Sequence, residues 1–269
     1  MQGFFDPRSI SWRVDREVAL LAGGTCALLM QLAHPAVAAG VEQHSDFRAD
    51  PFARLRRTLH SSLSIVFHDL PDAERSVARV NAVHRRVRGI VPESDAAYAA
   101  TEPRLLLWVH ATLIDTALRV YDRFVEPLSA DEMEAYHEEA KEIAVRLGIP
   151  RGEIPKALSD LRAEMRRAVH DGDVGVSPTA RRVARRVLYP SPMPPRFVWD
   201  AVNLVSFSLL PPALRRAYGI PWNARRERAV DRLAASSRRV LPFVPPVLRY
   251  VPQARSAERR LRVAMMAGP

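Results

Sequence analysis

Two stretches in the first half of this chain carry residue types that bind metal or hold charge inside a protein. Val77, Val80, His84 and Val87 are spaced i, i+3, i+7 and i+10, which on a helix makes one apolar stripe with an imidazole set in it. A buried imidazole needs a partner for each ring nitrogen; a metal ion is one such partner and a backbone carbonyl is another. The spacing alone leaves both open. Farther along, the run from Leu105 through Trp108, His110 and Thr112 to Asp115 is hydrophobic on every side, so a helix there belongs at the centre of the core. His110 shares a face with Ile114, and Trp108 shares another with Thr112 and Asp115. A buried Asp is costly unless it meets a cation or a strong donor; a hydrogen-bond network that fixes helix register would serve equally well. Arg54, Arg57, Thr58 and Ser61 follow i, i+3, i+4 and i+7 beside an apolar strip of Leu55, Leu59, Leu63 and Phe67. Taken alone, that is an amphipathic helix with a wet face.

Other chemistries are excluded or weak. His34 and His44 flank a short segment, and His60 and His68 are eight residues apart, but no His-Glu-x-x-His pair and no three-ligand metal constellation emerges. Gly-x-Ser-x-Gly, P-loop and Gly-x-Gly-x-x-Gly motifs are absent, and Gly23-Gly24 is too slight to suggest a nucleotide. The single cysteine, Cys26, lies in an Ala/Leu run, which excludes an internal disulfide and a cysteine-based metal site.

The elements that would position these residues are helical almost throughout, and we expect an all-α fold. Strand signals are nearly absent, with no Asn-Gly or Asp-Gly hairpin turn. A first helix is expected from about Asp15 to Ala33, ending where Pro35 disfavours helix at His34, and a short second one from Pro35 to about Gly40. Asp50-Pro51 opens a third, which carries Arg54 to Phe67. Asp72 is expected to cap a fourth, which Gly89 ends. A fifth runs from Pro103 to about Val125. Ser129-Ala130-Asp131-Glu132 is a capping box opening a sixth, to about Gly148. A seventh spans Pro155 to His170. Helices around Pro178–Leu188, Pro194–Leu209, Pro212–Tyr218 and Ala224–Val240 follow, with long helix less expected beyond Pro242. No boundary splits the 269 residues, so one domain is expected, with a Pro/Arg-rich C-terminal third from about residue 177.

Charge is uneven along the chain. Of the net +10, the stretch after Val176 contributes 18 Arg against four carboxylates, leaving the first 176 residues at −4. A basic third can face anionic lipid, an acidic partner or simply water. Aromatic stacking platforms and nucleic-acid motifs are missing, so no nucleic-acid partner is expected. Val202–Leu214 and Val240–Val251 are apolar and bordered by Arg, a pattern suited to a membrane interface. The alternative to an enzyme is therefore a non-catalytic helical protein that binds lipid or an anionic membrane surface. No basic start followed by an apolar stretch marks a signal peptide. The run Val18–Ala33 is too short and broken for a span of about 20 residues, which points to a cytoplasmic protein with at most peripheral membrane contact.

Taken in order, His34-Pro-Ala-Val-Ala-Ala-Gly-Val-Glu-Gln-His44-Ser45, Asp50-Pro51, Arg54-x-x-Arg57-Thr58, Val83-His84-x-x-Val87-x-Gly89, Leu107-Trp108-Val109-His110-Ala111-Thr112-Leu113 and Leu210-Pro211-x-x-Leu214-Arg215-x-x-Tyr218-Gly219 resemble the MpaB/rubber-oxygenase catalytic-domain family. That resemblance implies a globin-like helical core, haem b, and dioxygen-dependent attack on a hydrophobic, isoprenoid or lipid-like substrate. It implies His84 as the iron ligand with His110 in reserve, and Trp108, Asp115, His34 and His44 in the cofactor's surroundings. It assigns catalytic roles to Arg54, Arg57 and Thr58. The chain departs from the rubber oxygenases at Arg57, where they carry Lys. A lysine that has lost its proton can ligate iron, whereas Arg offers no lone pair. Arg57 is therefore expected to pair with a propionate or polarise oxygen.

Overall fold

A computed structural model describes residues 3–44, 60–189 and 195–266. Caps and prolines set most of the helix starts. Ser9 accepts from Trp12 N to open α1 (Ile10–Asp15). A 3-10 stretch, Val18–Gly23, leads into α2 (Gly24–Leu32), and Pro35 begins α3 (Pro35–His44). Between the Val18–Leu32 stretch and α3 the chain bends by 106°, as expected where His34 precedes a proline. Residues 60–67 are helical (α4). Then come α5 (Leu70–His84), the antiparallel hairpin β1 (Arg88–Ile90) and β2 (Ala97–Ala99), and α6 (Pro103–Phe124). Ser129 and Glu132 form the capping box of α7 (Ala130–Arg146), and α8 is Leu158–His170. Ser177 caps α9 (Pro178–Leu188), with proline in its first turn. The remainder is α10 (Arg196–Val202), α11 (Leu204–Leu209), α12 (Pro212–Ala217), α13 (Ala224–Val240), α14 (Pro246–Arg249) and α15 (Pro252–Met266). Among the described residues the all-α expectation holds, one hairpin aside.

The helix that is apolar on all sides is also the central one. Thirteen of the 22 residues of α6 are buried, and it packs against α2, the 3-10 stretch, α7, α8 and α13. Gly23 allows the closest of these approaches, since a Cβ there would lie 2.6 Å from Val120 Cγ2 and 2.7 Å from Thr116 Cγ2. A second, smaller cluster joins the two ends of the described chain. Phe5, Trp12 and Phe67 pack with Val251, Ala254 and Ala257, and Trp12 meets Phe67 edge-on at 5.0 Å.

Several boundaries differ from the sequence reading. The expected first helix, Asp15 to Ala33, is a 3-10 stretch followed by α2, with Gly23-Gly24 at their junction, and α1 precedes it. The second helix passes Gly40 and runs to His44. The fourth begins at Leu70 after Asp69, with Asp72 inside its first turn, and stops at His84. Gly89 does not end that helix; it lies in β1. A Cβ there would fall on Gln43 Oε1 and 3.0 Å from the Tyr98 hydroxyl, so close packing, not helix termination, explains the glycine. The expected Pro194–Leu209 helix is broken at Asn203, and a long helix, α15, does form beyond Pro242.

Candidate functional site

His84 is the last residue of α5, a lightly packed helix in which only Ala73, Ser76 and Val77 are buried. The stripe predicted from sequence holds only as far as His84 and grades outward: Val77 is buried and Val80 and His84 are half-buried, while Val87 lies past the helix end and packs against the Ala36 and Tyr98 cluster. The His84 ring nitrogen Nδ1 is shut from solvent and has no hydrogen-bond partner. Burial alone holds its pKa below the usual imidazole value. At neutral pH the side chain is thus an uncharged imidazole with an unsatisfied nitrogen, on an apolar strip that the neighbouring helices leave incompletely covered.

His110 is in a different setting. It is buried on α6 with Nε2 enclosed and partnerless. Burial, then the neighbouring His137, lowers its pKa to about 4. His137, on α7, is fully buried, and its Nε2 lies 2.9 Å from the Pro155 carbonyl oxygen. Only a protonated nitrogen can donate to a carbonyl, so Nε2 carries the proton and Nδ1, which has no partner, is a bare acceptor. Two neutral imidazoles from adjacent helices therefore sit together within packed core.

The remaining predicted residues divide by what their polar atoms meet. Trp108 Nε1 donates to the Met30 carbonyl at 3.1 Å. Thr112 accepts from Gln31 Nε2 at 3.2 Å. Asp115 meets the cations its burial requires: Arg162 Nε at 2.8 Å and Arg119 at 3.6 Å. These contacts tie α6 to α2 and α8. His44 is exposed and donates from Nε2 to the Arg88 carbonyl at 2.8 Å. His34 is half-buried with Nδ1 unpartnered, and burial, then Arg104, holds its pKa low. Arg54, Arg57 and Thr58 lie outside the described residues.

The structure brings the end of α3, the end of α5 and the hairpin into one neighbourhood. Gln43 Nε2 donates to the Ile90 carbonyl at 2.9 Å and its Oε1 accepts from the Tyr98 hydroxyl at 2.7 Å. Ala36, Ala39, Val91, Tyr98 and Leu105 form a small cluster with Val87 against it. A shallow hollow of about 420 Å³ opens on the hairpin, lined by Arg88, Gly89, Ile90, Tyr98 and Glu102 among others. His84 and His44 both adjoin this hairpin, whereas His110, Trp108 and Asp115 lie along the helix behind it. Gln43, Tyr98, His137 and Arg162 went unnoticed in the sequence reading. For His137 a signal existed: Met133, Tyr136, His137, Ala140 and Ala144 repeat at helical spacing. For Gln43 and Tyr98 none did, because their pairing joins residues 55 positions apart. Among the described residues no three or more His, Cys, Asp or Glu side chains are grouped to hold a metal ion.

Comparison with known proteins follows the same outline. The uncharacterized proteins Mb2261 of Mycobacterium bovis and Rv2237 of Mycobacterium tuberculosis are each 27% identical to this chain over 228 residues, covering 81% of it and 87% of the relative. No solved structure matches. Residues 12–239 match the family described as ER-bound oxygenase mpaB/B'/Rubber oxygenase, catalytic domain. The chain belongs to this MpaB/rubber-oxygenase catalytic-domain family, a family of oxygenases.

Proposed function

We propose that this protein is a haem-b-dependent oxygenase that acts with dioxygen on a hydrophobic substrate, isoprenoid or lipid-like, and that His84 is the iron ligand. The observation that carries the reading is the state of His84 itself: neutral, with Nδ1 enclosed and unpartnered, on an apolar stripe left partly open. A haem carries ring nitrogens of its own, so it would ask the protein for one neutral imidazole and not for a cluster of ligands, and His84 would supply it. The donor set present fits that demand. His110 fits it less well, because its whole side chain is buried in core beside His137, whereas His84 is half-buried.

When bound, haem supplies the redox chemistry of dioxygen. The chain's own contribution is placement and field. His84 stays uncharged, so its lone pair is available at neutral pH. Val77 and Val80 share the His84 face of α5, and their apolar side chains keep that face poor in competing polar groups. Arg57, assigned by its place in the motif, keeps its proton at any ordinary pH and acts as a hydrogen-bond donor, not a ligand. Arg54 and Thr58 are the further donors of that motif and suit charge developing on oxygen.

The test is spectroscopic. Purified protein titrated with haem should develop a Soret band with stoichiometric binding. His84→Ala should shift or weaken that band, and His110→Asn should leave it in place. Identical spectra for wild type and His84→Ala would remove His84 from the proposal, and failure to bind haem at all would remove the cofactor.

A further inference from the structure

The outer side of α13 and the turn that follows it are built unlike the rest of the surface. Val230, Ala234 and Ser237 face inward, and the Ser237 hydroxyl donates to the Phe124 carbonyl at 2.7 Å. Opposite them, Arg225, Arg228, Arg232 and Arg239 are all exposed. At 100° per residue they fall within a sector of roughly 60° and span about 21 Å of helix. None has a carboxylate partner among the described residues. The two acids of α13, Glu227 and Asp231, are turned to Arg123, at 2.9 and 2.7 Å. The helix thus holds its negative charge against α6 and presents an uncompensated cationic ridge outward.

That ridge runs directly into an apolar prominence. Val240, Phe243, Val247 and Leu248 are exposed, Phe243 to 86% and Leu248 to 69%. They are carried on a 3-10 turn, Leu241–Phe243, and on α14, with Pro242, Pro245 and Pro246 limiting backbone freedom. The far end is pinned by Arg249, whose guanidinium reaches the fully enclosed Glu17 carboxylate at 2.8 Å, and by Val251 N donating to the Arg16 carbonyl at 2.8 Å. These side chains therefore project from a braced turn and not from a loose tail.

We infer that this face docks on an anionic lipid bilayer, with the arginine ridge lying along the headgroups and Phe243, Val247 and Leu248 entering the interface. Charge complementarity selects a negatively charged occupant. The protruding aliphatic and aromatic tips select a bilayer among such occupants, because a polyanion in water gains little from them whereas an interface takes up apolar area. The inference does not depend on haem or on His84. It would place the protein where a greasy substrate is dissolved.

Co-sedimentation of the 269-residue chain with phosphatidylcholine vesicles, and with the same vesicles containing phosphatidylserine, tests it. We expect binding to the phosphatidylserine vesicles and little to the neutral ones. Replacing Arg225, Arg228, Arg232 and Arg239 with Gln should lower the binding at least tenfold. Phe243→Ser with Leu248→Ser should also lower it several-fold at unchanged charge. All these positions are exposed, so thermal melting should match wild type; if the four-fold variant misfolds, Arg232→Gln with Arg239→Gln replaces it. Binding indifferent to phosphatidylserine overturns the inference. So does binding that the Phe243/Leu248 variant leaves unchanged while heparin competes it away, which would make the ridge a polyanion site.

Discussion

At the scale of single residues, His110 and Asp15 carry opposite liabilities. The buried His110 has its pKa lowered to about 4, below the unfolded value of about 6.5. As pH falls, the unfolded chain takes up this proton first. Stability from this site is complete above about pH 6.5 and is lost progressively toward pH 4, by on the order of 3 kcal/mol. His137 is shifted the same way, chiefly by burial. Asp15 runs in the opposite sense. Its carboxylate accepts from the Tyr136 hydroxyl at 2.8 Å, yet burial, with Glu139 adding repulsion, raises its pKa to about 7. Here the folded state holds the proton longer, so stability is present at low pH and lost as pH rises from about 4 to 7. In the wild type the two slopes partly cancel. His110→Phe should remove the largest part of the acid-side loss and turn the slope of stability against pH downward relative to wild type, and Asp15→Asn should turn it upward. Chemical denaturation at about pH 4.5, 5.5 and 6.5, from near the folded His110 value up to the unfolded histidine pKa, reads both; unchanged slopes in both variants would contradict the assignment.

At the scale of elements, what could be read from sequence was what local chemistry determines. The capping box of α7 is written in Ser129 and Glu132, and both of its reciprocal hydrogen bonds form. The all-apolar run of α6 identifies the central helix, and Asp115, which the sequence leaves to a cation, a strong donor or a hydrogen-bond network, meets Arg162. Gly89 shows the other case. A glycine just past a helical pattern looks like a helix end, but here it admits Gln43 and Tyr98 from elements distant in sequence. Only the fold reveals that crowding. The two residues should respond differently to substitution. Ser129→Ala removes one cap and should cost about 1 kcal/mol, with the rest of the fold unchanged. Gly89→Ala forces a methyl onto Gln43 Oε1 and against Tyr98, costing roughly 1–3 kcal/mol. It should also break the Tyr98–Gln43 bond and loosen the hairpin beside His84. Amide exchange at Ile90 and Ala99 would show it; protection as in wild type would mean the neighbourhood adapts without loss.

At the scale of the whole molecule, the family match stops at residue 239, but the packing does not. The segment beyond it returns to the opposite end of the chain. Tyr250 bridges Glu17, and Val251, Ala254 and Ala257 complete the cluster around Phe5, Trp12 and Phe67. The Glu17 side chain is fully enclosed, and its partner Arg249 is 18% exposed, so screening by water does little for this pair. A buried carboxylate deprived of its cation is far costlier than a missing surface bridge. Arg249→Met should therefore cost about 3–5 kcal/mol. Glu17→Gln in the same chain should recover part of that loss, because the uncompensated charge is gone. A chain ended at Arg239 loses the cation and the Val251, Ala254 and Ala257 side of the cluster together, so it should melt well below the 269-residue chain although it retains every matched position. Equal melting temperatures for the two chains would mean that residues 240–266 ride on a body that is complete without them.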